Sequence, residues 1–197
     1  MTLIFATNNP NKVSEVQSIV GSTIKVISLA AAGIDIDIPE PFNTLEENAW
    51  TKANTIYDLT QQNCFSEDTG LEVNALNGAP GVKSARYASE TSDPTANIQK
   101  VLTNMNGVED RAARFRTVLA LIIDGQRYSF EGICEGHIVS AIKGRNGFGY
   151  DPIFVPEGAL KTFAEMSIEE KNQYSHRKRA MAKLIDFLSN FGKKMVH

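Results

Sequence analysis

The chain has 197 residues, 42% of them apolar and 22% charged, with a formal net charge of −3 at pH 7. That length can bury a core of its own, and the composition is globular rather than disordered. The slight acidity argues against nucleic acid as a main partner, since binders of that polyanion carry a basic bias, whereas small anionic ligands need only a few local cations.

Cys64 and Cys134 have neither CxxC spacing nor a matching histidine pattern, which argues against zinc. Reduced thiols in a cytoplasm are the simpler expectation, with one disulfide as the alternative. The opening MTLIFATNNPNK has no basic leader, so a signal peptide is not expected. No apolar run approaches the ~18 residues of a membrane span. A soluble cytoplasmic protein without a membrane partner is expected.

Leu3 to Ala6 reads as a buried strand. Asn9 then offers an N-cap and Pro10 a first helical position, followed by Val13, Val16, Ile19 and Val20 at helical spacing. Ile24 to Leu29 reads as a second strand. Thr44 with Glu47 three residues on has the form of a capping box, and Leu45, Ala49, Ala53, Ile56 and Leu59 stripe the helix behind it. Cys64 to Ser66 and Leu71 to Val73 have strand character, separated by Glu67 and Asp68. Asp93 and Pro94 open a helix with Ile98, Val101, Leu102 and Met105 facing inward, ending near Gly107. Ala113 to Ile123 is strand-rich, and Asp124-Gly125 signals a hairpin into Arg127 to Phe130. A further strand is expected from His137 to Ile142. Ser167 and Glu170 form a second capping box, and Met181, Leu184, Ile185 and Leu188 mark a last amphipathic helix. With no repeat or linker, the pattern gives one α/β unit of mixed strand direction.

Four segments carry chemistry, each beside a plainer reading. TNNPNK (Thr7 to Lys12) joins a strand to a helix N-terminus, where backbone N–H groups and Lys12 suit a phosphate; good capping chemistry is the alternative. Glu67 and Asp68 are either a solvated turn or ligands for a hard cation such as Mg²⁺, with Asp35, Asp37 and Glu40 as further candidates. GFGYDPIF (Gly147 to Phe154) can stack a flat ring on Phe148 or Tyr150 with Asp151 accepting ring N–H groups, or can be a kinked strand with core aromatics. In SHRKRA (Ser175 to Ala180), cations crowd Ser175, a plausible N-cap, and would oppose the helix dipole. A helix continuing from Ser167 removes that conflict, as would an electron-rich ligand at His176 and Arg177. Lys178 and Arg179 are expected at the surface.

In order, TNNPNK, TLEENAWTKA, SEDTGLEVNALNGAPGVKSARYA, GFGYDPIF and EEKNQYSHR span nearly the whole chain. Together they resemble the inosine triphosphate pyrophosphatase family, which hydrolyses non-standard purine nucleoside triphosphates. The resemblance implies an α/β fold: an elongated mixed β-sheet flanked by helices, with two lobes and a nucleotide cleft between them. It implies residues 1–197 as a single catalytic domain, acting as a homodimer on nucleotides. By the same resemblance, Thr7, Asn8, Asn9, Pro10, Asn11 and Lys12 would bind the triphosphate, with Lys52 near the phosphates. Asp68 would be catalytic and would hold Mg²⁺ with Glu40, Glu67 being a further ligand or only a neighbour. Glu67 stands where Asp is common, and Thr69, beside the substrate, where Ser is common. Phe148, Gly149, Tyr150, Asp151, Lys171, His176 and Arg177 would form the base pocket.

The implied reaction takes ITP, dITP or XTP to the monophosphate and pyrophosphate. Arg177, which only donates hydrogen bonds, would favour a 6-oxo group over the amino group of adenine. Two rivals remain at this point: a related pyrophosphatase for modified or pyrimidine triphosphates, and a nucleotide- or RNA-binding module without catalysis.

Overall fold

The computed structural model describes residues 1–21 and 24–194. The first strand, β1 (Thr2–Phe5), leads to helix α1 (Pro10–Val20). That helix starts as expected: Asn9 Oδ1 accepts the N–H groups of Asn11 at 3.0 Å and Lys12 at 3.3 Å, and Pro10 presets the first helical φ. β2 (Lys25–Ser28) pairs parallel with β1, Leu3 opposite Val26.

Helix α2 (Leu45–Thr60) is capped by Thr44, whose hydroxyl oxygen accepts the Glu47 N–H at 3.2 Å. The return bond differs from the expected box: Glu47 accepts from the Thr44 hydroxyl at 2.7 Å.

β3 (Cys64–Val73) is one continuous strand. The expected interruption at Glu67 and Asp68 is absent, because both carboxylates meet cations and can stay in a buried ladder. β3 runs parallel to β1, pairing Phe5 with Phe65, and the two rings stack at 4.5 Å. The short β4 (Pro80–Gly81) pairs antiparallel with β3, Leu71 opposite Gly81. A Cβ at Gly70 would lie 2.5 Å from the Gly81 carbonyl oxygen. The close approach that Gly70 permits is thus made by the chain's own backbone.

Helix α3 (Pro94–Asn104) is capped by Asp93, which accepts the Ala96 N–H at 3.0 Å. β5 (Ala112–Ile123) turns through Asp124 (φ 49°) and Gly125 (φ 74°), the two left-handed positions of a tight hairpin. β6 (Gln126–Ile138) is a single long strand, where two shorter ones were expected, and it ends at Ile138 rather than Ile142. β7 (Phe154–Pro156) pairs antiparallel with it, Ile138 opposite Phe154. Helices α4 (Ile168–Tyr174) and α5 (His176–Lys194) close the chain.

The strands form one mixed sheet in the order β2-β1-β3-β5-β6-β7, with β4 beside β3. Contacts divide the chain into two compact units. The first comprises Met1–Asp68, Thr117–Gly132 and α5 from Arg177 onward; the second comprises Thr69–Arg116 and Ile133–His176. Leu3, Phe5, Val16, Phe65, Leu119, Met181 and Leu184 are central to the first core. Leu71, Val101, Met105, Phe115, Phe154 and Phe163 are central to the second. Each such side chain contributes about 1.5–3 kcal/mol on burial.

Candidate active site

In the first unit the acidic pair of β3 splits its duties. Asp68 is 7% exposed, and its Oδ1 lies 3.5 Å from the Lys52 ammonium. Lys52 also donates to Glu40 Oε1, so one buried cation serves two carboxylates. Their meeting follows from how α2 docks on β3: the Ser66 hydroxyl donates to the Ala49 carbonyl, and the Cys64 thiol to the Ala53 carbonyl at 3.4 Å. Lys52 lies between those two anchors on the same helix.

Glu67 is 1% exposed and faces other partners. Arg177 grips it with two hydrogen bonds, Nε to Oε2 and Nη2 to Oε1, both 2.6 Å. The Lys12 ammonium lies 3.3 Å from Glu67 Oε1. The remaining Arg177 arm, Nη1, donates to Glu15. Burial alone would depress the guanidinium, but Glu67 and then Glu15 hold its pKa above the ordinary value.

Glu15 escaped the sequence reading. The signal was present: it lies four residues before Ile19 and beside Val16 on the buried face of α1, where an acid requires a buried cation.

Arg177 also settles the crowding of cations near Ser175. The helix does not run through: Ser175 adopts φ −53° and ψ 128°, and α5 starts at His176. His176 and Arg177 therefore do lie at a helix N-terminus, and two carboxylates offset the unfavourable dipole there for Arg177.

The loop from Thr7 to Lys12 is internally braced. Thr7 Oγ1 accepts the Asn9 N–H at 3.1 Å, and Asn8 Nδ2 donates to the Ile36 carbonyl at 2.8 Å. Asn8, Pro10 and Asn11 are exposed, and Lys12 is half-buried. Asp35 and Asp37 are exposed.

In the second unit, Lys171 donates to Asp151 Oδ2 at 2.6 Å, and the Phe148 N–H donates to the same oxygen at 2.9 Å. This closes the turn from Gly147 to Asp151, where Gly147 has φ 73° and a Cβ would strike the Asp151 carboxylate. The Lys171 ammonium lies 5.3 Å from the Phe148 ring centre and 5.1 Å from that of Phe163, within cation–π reach.

The two aromatics weighed for stacking part ways. Tyr150 is 4% exposed and its hydroxyl donates to the Ser84 carbonyl at 2.8 Å, whereas Phe148 is half-exposed. His176 is buried, its ring stacked on Phe115 at 4.7 Å. Thr69 and Gly149 are half-buried.

Thus Glu40, Lys52 and Asp68 form one set in the first unit, and Lys12, Glu15, Glu67 and Arg177 another. Phe148, Asp151 and Lys171 are gathered in the second unit. Arg177, read as part of the base pocket, is 1% exposed with Nε, Nη1 and Nη2 all donating to carboxylates.

The pattern of the Ham1 family matches residues 3–187. The chain belongs to the Ham1 family. Among similar Ham1 relatives, a dITP/XTP pyrophosphatase of Flavobacterium psychrophilum is 49% identical over 190 residues, 96% of this chain and 100% of that protein. One from Porphyromonas gingivalis is 50% identical over 187 residues, covering 94% of this chain and 96% of the relative. The Ham1 protein of Staphylococcus aureus has a similar fold, with TM-score 0.86 and 38% identity over 96% of this chain and 99% of that one. The resemblance read from five sequence segments is borne out, and so is the mixed sheet flanked by helices. Among the described residues no helix is long and apolar enough to cross a membrane.

Proposed function

We infer that this Ham1 protein hydrolyses non-standard purine nucleoside triphosphates (ITP, dITP and XTP) to the monophosphate and pyrophosphate. The observation that carries the reading is the Lys52 ammonium shared by Glu40 and Asp68, in a chain whose near-full-length relatives are dITP/XTP pyrophosphatases.

A divalent cation, Mg²⁺ in this reading, fits the donors present. Among the described residues no three acidic, histidine or cysteine side chains converge to enclose a metal alone. Mg²⁺ does not need that, because it commonly binds through one or two carboxylates, waters and substrate phosphates. Glu40 and Asp68 supply the two carboxylates. Glu67, held by Arg177 and Lys12, is assigned instead to positioning Lys12. When bound, the metal would draw charge from the phosphoryl oxygens and orient them.

The rest falls to the chain's own groups. Asp68 accepts a proton from the water that attacks the α-phosphorus; the α–β anhydride bond breaks and pyrophosphate leaves with the bonding electron pair. Lys12 and Lys52 neutralise the phosphate oxygens, where positioned charge is most effective. The braced loop of Thr7, Asn8, Asn9, Pro10 and Asn11 fixes the approach of the triphosphate, with Thr69 beside it.

The base is assigned to Phe148, Gly149, Asp151, Lys171 and His176: Phe148 stacks, Lys171 donates to the 6-oxo group, and Asp151 holds Lys171. Tyr150 supports that loop from the core. Adenine would present an amino donor to the Lys171 ammonium and leave it unmatched. Lys171 takes the role first expected of Arg177 because the Arg177 donors already serve Glu67 and Glu15.

In this reading residues 1–197 form one catalytic domain, working as a cytoplasmic homodimer on small nucleotides rather than nucleic acid. Its support is the family likeness and the net charge of −3.

The test is pyrophosphate release across ITP, XTP, dITP, GTP, ATP and pyrimidine triphosphates, with and without Mg²⁺. Activity confined to the first three with Mg²⁺ supports the reading; preference for pyrimidine triphosphates, or binding without turnover, contradicts it. Asp68→Asn should lower kcat for ITP by at least about 10²-fold, as expected for loss of a proton acceptor, with an unchanged circular dichroism spectrum. Near-normal turnover would remove Asp68 from that role.

A further inference from the structure

Beside the assigned groups stands a buried amide that the reaction does not use. Asn48, at the end of the first turn of α2, is 1% exposed. Both ends of its carboxamide grip one residue: Oδ1 accepts the Phe42 N–H at 3.0 Å, and Nδ2 donates to the Phe42 carbonyl at 3.1 Å. Paired bonds of this kind fix both the position and the rotation of a backbone unit.

What they fix is the segment carrying Glu40. Residues 40–44 are exposed and belong to no helix or strand, so few other contacts hold them, and Pro41 stiffens the link between Glu40 and Phe42. Glu40 reaches Lys52, which stands four residues after Asn48 on the same face of α2. One helix face therefore carries both the clamp on the loop and the cation that receives the loop's carboxylate.

We propose that Asn48 is a positioning residue: it holds the Phe42 backbone so that Glu40 is delivered to Lys52 and Asp68 before substrate arrives. This rests on the reading of Glu40 as a carboxylate of the metal and phosphate site. Groups that orient a metal ligand from behind typically change metal affinity by about 10–100-fold when removed. A helix-entry brace with no such role would lower stability alone.

Three variants separate these outcomes: Asn48→Ala, the isosteric Asn48→Asp, which keeps an acceptor for the Phe42 N–H and loses the donor, and Glu40→Gln. The readouts are amide hydrogen exchange over residues 38–44, melting temperature, and the Mg²⁺ dependence of pyrophosphate release from ITP.

Asn48→Ala should speed exchange in that segment and raise the half-maximal Mg²⁺ concentration by about 10-fold or more, with kcat at saturating Mg²⁺ falling less. Asn48→Asp should be intermediate, and it decides the matter alone if the alanine variant does not fold. Unchanged exchange, or a lower melting temperature with an unchanged Mg²⁺ requirement, overturns the proposal while Glu40→Gln still shifts that requirement. If Glu40→Gln itself leaves the Mg²⁺ requirement as in the parent, the reading of Glu40 fails and the role of Asn48 fails with it.

Discussion

Removing the Arg177 side chain would strand Glu15 and Glu67 where neither readily reaches water, at 7% and 1% exposure. Breaking a buried pair from one side typically costs about 3–5 kcal/mol, so Arg177→Ala should move the urea midpoint down by that much. A midpoint within about 1 kcal/mol of the parent would show that the network contributes little. Selectivity is predicted to follow a different residue: Lys171→Ala should narrow the ITP:ATP ratio of kcat/KM, and an unchanged ratio would remove Lys171 from reading the base. Cys64 gives a pH test. Burial, with a smaller effect of Asp58, pushes its thiol from 9.0 up to about 12. The unfolded chain therefore ionises first as pH rises, so the stability this thiol contributes is full below about 9 and is lost toward about 12. The stability advantage of the parent over Cys64→Ala should shrink between about pH 8 and about pH 11; a constant difference would contradict the shift.

At the scale of elements, caps and turns were the most legible features. Asn9, Asp93, Ser167 and the Asp124-Gly125 turn act within a few residues of themselves, so short-range pattern suffices to find them. The failures share one cause. β3 was read as broken because two carboxylates looked unfit for a buried strand, and their cations lie on distant segments. β6 was read as two strands because Ser129, Glu131, Gly132 and Gly136 blur its alternation, whereas pairing with neighbouring strands carries it through. Gly70→Ala tests β3 against β4, since the new Cβ would meet Gly81 backbone at 2.5 Å. Forcing that contact should cost about 1–3 kcal/mol; a neutral substitution would mean that the two strands part easily.

For the whole molecule, the sequence reading recovered the family and the mixed sheet because five segments recur in order along most of the chain. It named Glu40, Lys52 and Asp68, which the fold does bring together. It missed Glu15 and Asn48, whose partners become visible only once helix faces and backbone contacts are known. Both are polar groups on buried helix faces, and such positions deserve a search for partners whenever they occur in an apolar stripe. The division into two cores, each with its own aromatic and aliphatic cluster, was not readable from composition, which changes little along the chain. The central claim is that the α–β anhydride of a 6-oxo purine triphosphate is the bond cut. Product analysis of ITP hydrolysis in Mg²⁺ tests it most directly: IMP and pyrophosphate in equal amounts, without IDP, is the predicted result, and accumulation of IDP with inorganic phosphate would contradict it.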